Sequence, residues 1–105
     1  MAIDLCKTNR KSGEPTFTPV CAANTFVTYW LPPAKELGLQ MIECLPALVI
    51  RQEFKDQFIE EISQLRNWID LHAPVGIRES ILESIDRVMD IVSSTSLDEY
   101  ELSTG

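Results

Sequence analysis

Between residues 47 and 71 the apolar positions Ile50, Phe54, Phe58, Ile62, Leu65 and Ile69 recur at steps of three and four, with Trp68 beside them. On a helical wheel they fall within about 120° of arc, the width of a stripe that faces a core. The spacing therefore predicts a long amphipathic helix over 47–71. Glu53, Asp56, Glu60 and Asn67 occupy its other side. A second stripe follows, in which Ile77, Ile81, Ile85, Val88 and Val92 predict a helix over 75–93. The link between them, His72–Ala–Pro–Val–Gly76, holds a proline that ends a hydrogen-bond ladder and a glycine that permits a tight turn. Helices joined by so short a link pack antiparallel, so a helical hairpin is the expected centre of the fold.

The N-terminal half reads less uniformly. Residues 7–16, KTNRKSGEPT, are polar and contain Gly and Pro, which predicts a flexible arm over 1–16. In residues 17–31 the pair Thr18–Pro19 resembles an N-cap followed by a first-turn proline, and Val20, Ala23, Val27 and Trp30 recur at helical spacing. The aromatic and β-branched run FVTYWL argues the other way, towards a strand. Leu37, Met41, Leu45 and Leu48 predict a short helix over 33–45, weakened by Gly38 and interrupted by Pro46. Ser96 and Glu99 have capping-box spacing for a last turn, and 95–105 otherwise reads as a mobile acidic tail. The expected fold is thus all-α, one bundle of three or four helices. A mixed α+β domain with strands drawn from 17–31 or 39–45 is the rival.

Composition places the chain among folded globular proteins, 105 residues long with 45% hydrophobic and 24% charged residues. Its formal charge of -7 is unevenly spread. Residues 16–34 carry no charge, whereas 52–105 hold twelve acids against four bases. Such a field repels nucleic-acid phosphates and anionic headgroups and attracts a basic protein. No apolar run is long enough for a membrane span, and the start has no signal-peptide core. Cys6, Cys21 and Cys44 form no CxxC pair, and His72 stands alone, so no zinc site, no other metal and no cofactor is expected. Three unpaired cysteines suit a reducing cytoplasm.

The segment IRESILESIDRVMDIV carries Glu79, Glu83, Asp86 and Asp90 at steps of four, three and four. These acids fall within about 60° of one another, roughly opposite the apolar stripe of the same helix. A general acid needs burial or an inescapable like charge to raise its pKa, and an outward file supplies neither. Calcium-loop, nucleophile-elbow and phosphate-cradle patterns are missing as well. His72, near a helix end, reads as a cap for the last carbonyls.

The expected function is non-enzymatic. An acidic surface would engage a basic protein, as small inhibitor or immunity-type proteins do. Its carriers would be Glu79, Glu83, Asp86 and Asp90, a second patch of Glu53, Asp56 and Glu60, and Tyr100, Trp30 or Trp68 as aromatic anchor. The alternative is a structural or adaptor subunit, a homo-oligomer formed through the uncharged stretch 16–34.

Overall fold

Ile3 and Leu5 alternate with Asp4 and Cys6. In the computed structural model, which describes residues 2–105, that alternation is strand β1 (Ala2–Asn9). Strand β2 (Pro15–Ala22) pairs with it antiparallel, from Ala2↔Ala22 to Thr8↔Pro15. The turn between them is built by Asn9. Its Oδ1 accepts the Lys11 and Ser12 amides at 2.9 and 3.1 Å, its carbonyl accepts the Gly13 amide at 2.7 Å, and Gly13 has a φ of +73°. An Asx turn closed by a left-handed glycine is a low-strain way to reverse a strand. The predicted arm is therefore a hairpin.

A helical run follows, α1 (Ala23–Thr25), a π-helical stretch Phe26–Trp30 and α2 (Leu31–Leu37). Pro32 and Pro33 offer no amide and their rings crowd the carbonyls four residues back, so a widened turn before them relieves both problems. Gly38, at φ +70°, ends α2, and the buried Leu39 donates its amide to the Ala34 carbonyl at 2.8 Å. This is a Schellman-type stop with its apolar contact. Next come α3 (Gln40–Glu43), a 3-10 turn over Leu45–Ala47, strand β3 (Val49–Ile50) and a 3-10 turn over Gln52–Phe54. The long helices α4 (Lys55–His72) and α5 (Val75–Ser94) precede strand β4 (Tyr100–Thr104).

The four strands form one antiparallel sheet in the order β2-β1-β4-β3. β4 pairs with β1 from Leu5↔Thr104 to Asn9↔Tyr100 and with β3 at Val49↔Ser103 and Ile50↔Leu102. Ile3, Leu5, Val20, Ile50 and Leu102 point from the sheet into the same core as Phe58, Ile62, Leu65 and Ile69 of α4 and Ile81, Ile85, Val88 and Val92 of α5. Phe26 and Trp30 join it, their ring centroids 6.4 Å apart.

The fold is thus α+β, with a four-stranded antiparallel sheet, and not a helical bundle. The predicted hairpin is present, as α4 and α5. Its first helix starts at Lys55 and not at residue 47, because Ile50, in phase with the stripe, belongs to a strand, and Phe54 ends a 3-10 turn. The helix expected over 17–31 begins only at Ala23. Thr18 and Pro19 lie in β2, where Pro19 points its amide-less nitrogen away from β1. The helix expected over 33–45 is split at Gly38. The tail expected over 95–105 is β4, the strand between β1 and β3, with Leu102 wholly buried.

Candidate functional site

Because α4 and α5 turn their apolar stripes to the core, their acids other than the buried Glu61 turn outward. Glu79, Glu83, Asp86 and Asp90 are all exposed on α5. Glu53, in the 3-10 turn, and Asp56 and Glu60, on α4, are exposed too. The antiparallel hairpin places the start of α4 beside the end of α5, as the 3.0 Å hydrogen bond from Lys55 Nζ to the Thr95 carbonyl marks. Asp56 and Glu60 therefore share an end of the hairpin with Asp90, whereas Glu79 lies at the other end. Asp86 is not free. Arg66 on α4 grips it through two hydrogen bonds, Nε to Oδ1 at 2.7 Å and Nη2 to Oδ2 at 3.2 Å. The hydrogen bonds from Arg66 hold the Asp86 carboxyl below its ordinary pKa. Arg87 points instead to the sheet, donating to the Pro19 carbonyl at 2.9 Å.

The proposed anchors divide. Trp30 is wholly buried, so its ring is not on the surface. Tyr100, half-buried at the start of β4, has Lys7 Nζ 4.3 Å above its ring, a cation–π contact that occupies that face. Trp68 packs against His72 with ring centroids 4.9 Å apart and the rings tilted by 46°. The carbonyl cap at this helix end comes from Arg78, not His72: its Nε and Nη2 donate to the Ala73 carbonyl at 3.2 and 2.7 Å.

A surface the sequence reading did not assemble is the outer face of the sheet. Helices cover only the face that carries Ile3, Leu5 and Leu102. On the other, cross-strand pairing sets Phe17, Cys6, Ser103 and Val49 in one row across all four strands. Phe17 is 63% exposed and Val49 48%. The alternation in AIDLCK and YELST was the available signal.

Among the described residues no group of three or more His, Cys, Asp or Glu side chains could hold a metal ion, and no helix is long and apolar enough to cross a membrane. The three cysteines are free thiols. Burial pushes the Cys21 thiol up to about 11, while Cys44 is exposed. Alkylation at neutral pH should therefore modify Cys44 first and Cys21 last, readable by peptide mass mapping over time. The unfolded chain ionises Cys21 more easily than the folded one. Raising the pH from about 9 to about 11 should thus favour unfolding through this group.

No protein-family model, curated protein or solved structure matches the chain.

Proposed function

We propose that this chain is a non-enzymatic structural or adaptor subunit that self-associates through the uncovered face of its sheet. The observation that carries the reading is the row Phe17–Cys6–Ser103–Val49, with both ends widely exposed. An aromatic standing clear of the surface on an open sheet face gains most when a second layer covers it. The uncharged stretch 16–34 enters through Phe17, while Val20, Phe26 and Trp30 are spent on the core.

Sedimentation velocity over a range of concentrations tests this. The unmodified chain should shift towards a dimer as concentration rises, and Phe17→Lys should remain monomeric. Two like-charged copies approach more easily when salt screens them, so the shift should strengthen with salt. A chain that stays monomeric at every concentration and salt level ends the proposal.

A second reading rests on a separate observation. Glu79, Glu83 and Asp90 are exposed and have no ion-pair partner among the described residues. A basic protein would pair with them, and its affinity would fall with salt, the reverse of the first reading.

A further inference from the structure

The two edges of the sheet differ, and the difference follows from the ladder parity. Asp4 and Gly105 exchange amide and carbonyl bonds at 3.0 and 3.1 Å, so alternate residues of β4 from 105 backwards bond to β1. The residues between them bond to β3, as the 2.8 Å bond from the Thr104 amide to the Leu48 carbonyl shows. Ile50, opposite Leu102, therefore also bonds inward. Val49, opposite Ser103, does not, and its amide and carbonyl both point out of the sheet. Neither has a partner among the described residues.

On the far edge the same parity makes Pro15, Phe17 and Pro19 the outward residues of β2. Two of these three have no amide to offer, and Arg87 occupies the Pro19 carbonyl. That edge is blunted in the way sheets avoid unwanted pairing. The β3 edge is not.

Beside the open edge lies a groove of about 300 Å³ whose lining includes Met41, Cys44, Leu48, Val49, Phe54 and Gln57. Phe54 is 43% exposed there. The acids Glu43, Glu53 and Asp56 stand next in sequence to Cys44, Phe54 and Gln57. Of the nearby bases, Lys55 is turned away to the Thr95 carbonyl, and the exposed Arg51 stands just beyond Ile50 at the end of β3, on the side of the edge away from Glu43. A free strand edge, an apolar groove and an acidic rim thus occur together.

We propose that the β3 edge takes an extended protein segment that pairs its backbone with Val49, sets an apolar side chain in the Met41–Phe54 groove, and presents Lys or Arg to Glu43, Glu53 and Asp56. Backbone pairing supplies orientation, while the groove and the acids supply selectivity. The occupant is chosen by charge. An acidic segment would meet the rim repulsively, and a second copy of this chain would bring its own rim acids against these.

The test uses the full chain, a short peptide alternating valine with lysine, and its valine–glutamate counterpart. Binding is followed by NMR amide shifts. The lysine peptide should bind and move the Val49 amide most, and the glutamate peptide should not bind. Val49→Pro should weaken binding about tenfold or more, since it removes an outward donor on which no internal bond depends. Leu48 already has the extended backbone (φ -116°, ψ 138°) that a following proline requires, so the variant should fold. Glu53→Lys with Asp56→Lys should cost about tenfold, and Glu79→Lys with Glu83→Lys under about threefold. Several results overturn the proposal: equal binding of the two peptides, no binding of the lysine peptide, shifts centred on Phe17 or α5, or a Val49→Pro chain that binds unchanged.

Discussion

Replacing Glu61 by alanine should lower the unfolding free energy by about 3 kcal/mol. Glu61 is a carboxylate on the core side of α4, only 7% exposed. Its Oε1 accepts the Met41 amide at 2.9 Å and the Ile42 amide at 3.4 Å, and its Oε2 accepts Gln57 Nε2 at 2.9 Å. Met41 and Ile42 are the second and third residues of α3, whose own N-cap, Leu39, has no side-chain acceptor. A four-residue helix cannot repay its nucleation alone, and its first amides need an oxygen. Glu61 supplies one from another helix, twenty residues away. Alanine leaves two buried donors unmade, each costing about 1–3 kcal/mol. Glutamine keeps an acceptor but not the charge, so Glu61→Gln should cost only about 1 kcal/mol. Urea unfolding of both variants decides it. Equal losses for Ala and Gln would refute the cap. The effect reaches the surface too, because Met41 lines the groove beside β3 and is held there by this bond.

Glu61 also shows where the sequence was opaque. It falls on the margin of the stripe formed by Phe58, Ile62, Leu65 and Ile69, where an acid reads as an ordinary flank. Nothing local says that α3 lacks a cap of its own. The helical hairpin itself was legible, because both stripes are long and regular, and the outward direction of Glu79, Glu83 and Asp90 followed from them. The sheet was not. β1 has just two apolar residues facing the core, Ile3 and Leu5, before it turns polar, and β4 has one aliphatic, Leu102, between Tyr100 and Thr104. Each fragment is too short to read as a strand without its partner, and the partner of Leu5 is Thr104, at the opposite end of the sequence. β2 was masked by Pro15 and Pro19, which suit a strand at the edge of a sheet as well as the first turn of a helix. Ile50 and Phe54 fell in phase with the α4 stripe, so the helix was read too long and β3 was absorbed into it. The row at Phe17 and the edge at Val49, which exist only because of the sheet, were hidden for the same reason.

Trp30 gives the second large effect, and its two obvious substitutions should differ sharply. The side chain is wholly buried beside Phe26, where the chain widens into its π-helical turn ahead of Pro32 and Pro33. Trp30→Ala removes the largest side chain of the core and should cost about 4 kcal/mol, from lost transfer energy and the cavity left behind. Trp30→Phe removes less volume and also removes a liability. Indole Nε1 is buried and has no acceptor among the described residues, and such a donor costs about 1–3 kcal/mol relative to water. A smaller ring forfeits a similar amount of packing, so the two terms nearly cancel and Trp30→Phe should lie within about 1 kcal/mol of the unmodified chain. Urea denaturation followed by circular dichroism measures both without relying on the fluorescence of the replaced residue. If phenylalanine proves nearly as damaging as alanine, the indole N–H is not the cost ascribed to it and the packing of the ring alone sets the stability of this corner. If it proves neutral, the π-helical turn holds the ring for its volume and not for its donor.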